Sequence, residues 1–171
     1  GYFGASRYYG LNTDAENKAG GKDHDGDGKI DLLTEYNFGH SVNAAKRDIG
    51  ADASAATDFT ADAYNAFYEG RKIIAEAGET LSADEMTALK AQRDIAVSAW
   101  EKAIASTVVH YINDVLTDMG NFDTADYVYT DHAKHWGELK GFAMSFQFNP
   151  RSPMMAAGTT HFADFHTKVG Q

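Results

Sequence analysis

Apolar residues recur at helical spacing through the second half of the chain. Leu89, Trp100, Ile104, Val108, Tyr111, Val115 and Met119 fall at steps of three, four or sums of these. That period marks one face of a helix rather than a strand. Ser82-Ala83-Asp84-Glu85 forms a capping box in front of the stripe, and Gly120 follows it. A long helix is therefore expected over 82–119. A shorter one is expected over 60–77, with Thr60 as its cap and Gly78 at its end. Its apolar face reads as Tyr64, Phe67 and Ile74, with Phe59 as a hydrophobic staple. A third helix is expected over 131–148, stopped by Asn149-Pro150, and a short one over 160–169.

Upstream the pattern is weaker. Residues 1–9 read as the tail of a helix, 10–29 as loop, 30–36 as a short helix, 41–47 as a further turn and 50–57 as a surface connection. The apolar run Tyr127-Val128-Tyr129 is too short for a strand of consequence. The expected class is all-α: an antiparallel helical bundle in a single domain over 1–171, with Trp100 and Trp136 in its core. Ala103, Thr107, His110, Asp114 and Thr117 form a small, polar stripe on the long helix, read as solvated or as the lining of a polar groove.

Composition narrows the functional classes. The formal charge is −10, which disfavours nucleic acid and anionic membrane surfaces as partners. There is no cysteine, so thiol and disulfide chemistry are excluded. No run approaches the roughly 18 apolar residues of a membrane span. The chain opens on Gly1-Tyr2-Phe3-Gly4 and ends on Val169-Gly170-Gln171, and it reads as a piece of a longer protein.

The densest chemical signal is Asp23-His24-Asp25-Gly26-Asp27-Gly28-Lys29-Ile30-Asp31. Alternating aspartates followed by glycine form the front of an EF-hand calcium loop. Asp23, Asp25 and Asp27 converge on one point, the Lys29 carbonyl adds an oxygen, and Asp31 holds the ninth position. The twelfth position is Thr34, so Glu35, one residue late, is the expected replacement for the usual glutamate. Without a cation such a triad repels itself. Calcium is the expected cofactor, in a structural role, because no second hand is present to make a sensor.

The second signal is Asp131-His132-Ala133-Lys134-His135-Trp136-Gly137-Glu138. On a helix His135 and Glu138 share a face, as do His132 and His135. A histidine and a carboxylate at this spacing can bind a metal between helices, or brace the bundle as a hydrogen-bonded pair. Gly137 and Gly141 inside a helix imply close approach of a neighbouring backbone. His110, four before Asp114, is a weaker ligand source. His161 and His166, five apart, do not share a face, and His24 and His40 have no companions. Gly-x-Ser-x-Gly, His-Glu-x-x-His and phosphate-loop motifs are absent from the sequence.

His135-Trp136-Gly137-Glu138 resembles the His-x-x-Glu part of the Gly-x-His-x-x-Glu signature of imelysin-like proteins, with Ala133 in place of the glycine. More of the chain resembles an uncharacterised family of bacterial secreted lipoproteins: Gly1 through Arg7, Asp25 through Asp31, Tyr36 through Gly39, Ala44 through Arg47 and His132 through Pro153. The resemblance implies a helical fold and export to the periplasm or cell surface. It also implies a lipid anchor outside this chain as the only membrane contact. For function it implies an imelysin-like binding protein that handles a metal, iron or zinc, or a metal-bearing ligand at His135 and Glu138. Partners are then metal ions and other surface or outer-membrane proteins. The alternatives are a structural or interaction module of a surface complex, and a metallohydrolase that draws further ligands from elsewhere. A binding role is favoured over an enzymatic one.

Overall fold

The structure is a computed structural model that describes residues 26–29, 43, 47, 48 and 56–170. Of these residues 73% are helical and none lies in a strand, which makes the described part all-helical. In chain order come α1 (Phe59–Glu76), α2 (Ala83–Gly120), α3 (Tyr129–Met144) and α4 (His161–Lys168), with 3-10 turns at Ser145–Phe148 and Pro153–Met155. The expected elements at 1–9 and 30–36 lie outside the described residues, as do most of 41–47 and 50–57.

The ends of the helices follow from local chemistry, with some changes of role. Asp58, not Thr60, caps α1, its Oδ1 accepting the Ala61 N–H at 2.9 Å. Thr60 sits inside the first turn, and its hydroxyl and N–H both donate to Asp48. Gly78 adopts φ 75° and ends the helix in the left-handed region, where glycine carries no Cβ penalty. The capping box of α2 is formed: the Ser82 N–H donates to Glu85 Oε2 at 2.8 Å, and the Glu85 N–H returns to Ser82 Oγ at 3.3 Å. The hydrogen bonds from the Ser82 hydroxyl and N–H hold the Glu85 carboxyl below its usual value. Gly120 is the last residue of α2, and the left-handed residue beyond it is Asp123, at φ 62°. The segment expected to be helical to residue 148 is α-helical only to Met144. It then tightens into 3-10 geometry before Pro150.

The chain divides into two compact units, Gly1–Ala103 and Ile104–Gln171. In the first, α1 runs antiparallel to the early part of α2. Phe59 packs with Ala103, the Phe67 ring lies 5.4 Å from Trp100, and Gly70 faces Leu89. The buried faces are made of small residues: Ala63, Ala66 and Gly70 on α1, with Ala96, Ala99 and Ala103 on α2. A Cβ added to Gly70 would stand 3.4 Å from Leu89 Cδ1. The face expected for α1 is therefore the wrong one, since Tyr64, Phe67 and Ile74 are 36%, 42% and 53% exposed. Residues 59, 63, 66 and 70 share the helix period equally well.

In the second unit, Ile104, Val108 and Val115 of α2 pack with Leu139 and Ala143 of α3 and with Phe146. Phe162, Phe165 and Val169 close against this cluster. Thr107, placed on a solvated or groove-lining stripe by its sequence, is wholly buried. Trp136 is 38% exposed rather than in the core. Its indole N–H donates to the Val169 carbonyl at 3.3 Å, and Lys140 Nζ donates to the Gly170 carbonyl. Both bonds satisfy carbonyls at the C-terminal end of α4, which have no intrahelical partner.

Nothing lies within 4 Å of a Cβ built on Gly137 or Gly141, so the backbone approach expected there is absent among the described residues. Gly137→Ala and Gly141→Ala are expected to stabilise the fold by about 1 kcal/mol each through helix propensity. Ala103→Leu, at a wholly buried position, is expected to cost about 1–3 kcal/mol by overpacking. Urea melts of the three variants check both signs.

Candidate functional site

In the second unit α2 and α3 are antiparallel and in register. The Tyr111 and Phe142 rings stack at 5.7 Å, and His135 meets Asp118. Both pairs are reached by moving about two turns along each helix in opposite directions. His135 Nδ1 lies 2.8 Å from Asp118 Oδ2, with the side chains 24% and 16% exposed. An ionised carboxylate only accepts, so Nδ1 is the donor, and the tautomer this selects carries its lone pair on Nε2. A carboxylate that fixes the tautomer in this way is the usual second support of a metal-binding histidine. The Tyr111 ring lies 6.3 Å from the imidazole.

Glu138 is the other half of the expected pair, one turn further along α3. Its Oε2 is buried and has no hydrogen-bond partner among the described residues. A buried acceptor left in this state costs about 1–3 kcal/mol, more when it is charged. The hydrogen bond foreseen for His135 is thus made to a different residue. Asp118 was missed, although Asp114 and Asp118 stand four apart and continue the polar side of α2 to its end.

The remaining described histidines serve packing or solvent. His110 Nε2 lies 3.3 Å from Asp114 Oδ2, with side chains 42% and 31% exposed, a surface pair of about 0–1 kcal/mol. His132 Nδ1 is 3.2 Å from the Tyr127 hydroxyl, and its ring packs on Phe122 at 5.3 Å. Asp131 and His161 are exposed. His166 packs on Phe162 at 4.4 Å and on Phe165 at 5.7 Å, and its Nε2 is buried without a hydrogen-bond partner among the described residues. Among the described residues no three histidine, aspartate or glutamate side chains are gathered as a metal group. His135 and Glu138 therefore amount to two donors, and a complete centre needs others.

Of the acidic loop, Gly26 to Lys29 are described, and all four are exposed. Gly26 and Gly28 have φ 75° and 84°, and Asp27 Oδ1 accepts the Lys29 N–H at 2.8 Å. Gly28 stands at the position where a calcium loop makes its sharp turn. Asp23, Asp25, Asp31 and Glu35 lie outside the described residues, as do His24 and His40.

Comparison with known proteins found no matching family model, no matching curated protein and no matching solved structure. Among the described residues no helix is long and apolar enough to cross a membrane.

Asp118→Ala and His135→Ala should each cost about 1–3 kcal/mol, because each leaves a largely buried polar partner unpaired. The double variant should cost less than the sum, with a coupling of about 0.5–3 kcal/mol. Additive losses in chemical denaturation would show that the 2.8 Å contact contributes nothing to stability.

Proposed function

We propose that this chain is part of an exported, imelysin-like binding protein that handles a transition metal, iron or zinc, or a metal-bearing ligand at the periplasmic or cell-surface side. The supporting observation is the buried, unpartnered Glu138 Oε2 one turn from an imidazole whose Nδ1 is engaged by Asp118. Imidazole nitrogen and carboxylate oxygen are a donor set suited to zinc or iron. A bound cation would supply the partner that Glu138 lacks and would act as a Lewis acid toward its ligands. His135 Nε2 and Glu138 Oε2 would hold it, Asp118 would orient the imidazole, and further donors would come from another segment or from the metal-bearing ligand. On this reading the helices form an antiparallel bundle, and the acidic loop is an EF-hand-like calcium staple. The left-handed Gly28 and the Asp27–Lys29 turn are compatible with that staple.

A second reading is supported by the Asp118–His135 bond itself. The pair ties α2 to α3, and it would do so equally well in a structural module of a surface complex that binds no second metal.

Elemental analysis and calorimetric titration with zinc and ferrous iron separate the two readings. For a metal centre, Glu138→Leu abolishes binding yet stabilises the apo-protein, because it removes a buried carboxylate oxygen that has no partner among the described residues. Asp118→Asn lowers metal affinity by about 10–100-fold. Absent metal uptake, with Glu138→Leu destabilising, leaves the structural module.

The calcium staple has its own check. A chelator should lower the melting temperature, since a ligand bound only by the folded state stabilises it by about 2.7 kcal/mol at 100 times its Kd. An unchanged melting temperature would remove calcium from the account.

A further inference from the structure

Beside the small-residue contact of α1 with α2 lies an open groove of about 470 Å³. Its walls are almost wholly apolar, with Phe67, Ile74, Leu89, Val97 and Trp100 among them, and Gly70 and Ala96 lie where bulkier side chains would fill it. Phe67 and Ile74 keep 42% and 53% of their surface in water, although each is large enough to form a core. A groove of this size, walled by aromatic and aliphatic groups and carrying few polar ones, has the character of a small-molecule site.

Its two cations differ in state. Arg93 is bidentate to Asp94, with Nε to Oδ1 at 2.9 Å and a terminal nitrogen to Oδ2 at 3.1 Å, so its charge is offset. Arg71 also lines the groove, is exposed, and has no carboxylate partner among the described residues. In a chain with a formal charge of −10, one uncompensated guanidinium beside an apolar groove is a local reversal of sign. It complements a single anionic group attached to an apolar body. At about 30 Å³ per heavy atom, the share of a water molecule in the liquid, the volume admits roughly fifteen such atoms. That is one alkyl chain with its headgroup, not a two-chain lipid.

We propose that this groove binds a free long-chain carboxylate, with the alkyl chain along Phe67, Ile74, Leu89 and Trp100 and the carboxylate on the Arg71 guanidinium. The planar guanidinium matches a carboxylate with two parallel hydrogen bonds, and the Phe67 and Trp100 rings, tilted 51° to each other, offer apolar surface to methylenes. The site belongs to the first unit and is independent of the His135 centre.

The test uses the Trp136→Phe chain, in which Trp100 is the remaining tryptophan. Dodecanoate, below its micelle concentration, should shift Trp100 emission to the blue saturably and at one equivalent. Dodecanol should bind about tenfold or more weakly, the loss expected for one charge-assisted hydrogen-bonded pair. Arg71→Gln should erase the preference for the acid over the alcohol. Ile74→Glu, at a half-exposed position, should leave the far-ultraviolet dichroism unchanged and abolish dodecanoate binding by setting a carboxylate in the groove. Three results would overturn the proposal: equal affinity for acid and alcohol, an Arg71→Gln variant that keeps the preference, or no response of the folded chain to dodecanoate. It also falls if Trp100 responds only to phosphatidylglycerol vesicles, or only to protein concentration. The first would mark a lipid surface and the second a contact between copies.

Discussion

Burial of small residues governs the first unit. Ala63, Ala66 and Gly70 of α1 and Ala96, Ala99 and Ala103 of α2 are buried. Each buried contact is weak, and many of them together contribute appreciably. The large apolar residues Tyr64, Phe67 and Ile74 stay 36%, 42% and 53% exposed. Phe67 and Ile74 line the groove together with the small residues Ala66, Gly70 and Ala96.

The second unit solves a different packing problem. Its core is made of branched and aromatic side chains, Ile104, Val108, Val115, Leu139 and Phe146, with the small Ala143 among them. Polar groups are admitted at its edge only in matched pairs, with few exceptions. His135 has Asp118, and the carbonyls at the end of α4 have Trp136 and Lys140. Against that pattern the buried oxygen of Glu138 and the buried nitrogen of His166 stand out. A buried polar atom left without a hydrogen bond costs free energy. That cost persists in the apo-protein unless something outside the described residues relieves it, and this is why Glu138 rather than His135 is the more informative residue of the proposed centre.

The two candidate binding features rest on distinct physics. At His135 and Glu138 the attraction is electrostatic, set by fixed donor atoms and by a tautomer held through one hydrogen bond. At the groove it is mostly transfer of apolar surface from water, with Arg71 choosing among ligands of similar length. The acidic loop belongs to the first kind, and its alternating aspartates are the most local signal in the chain.

What the sequence determined by itself was the local part. Helix class, the Ser82–Glu85 capping box, the stop at Gly78 and the break before Pro150 each depend on residues within one or two turns, and hydrogen bonds at that range leave a readable pattern. The placement of His135 and Glu138 on one face of α3 was legible for the same reason. Tertiary structure alone decided which of two equally periodic faces of α1 is buried, because periodicity does not say which face finds a complementary partner. It also decided that His135 answers to Asp118, which lies on a different helix. Gly137 and Gly141 show the limit most plainly. Their presence in a helix was visible at once, but whether anything packs against them depends on a neighbour the local sequence does not contain, and among the described residues nothing does.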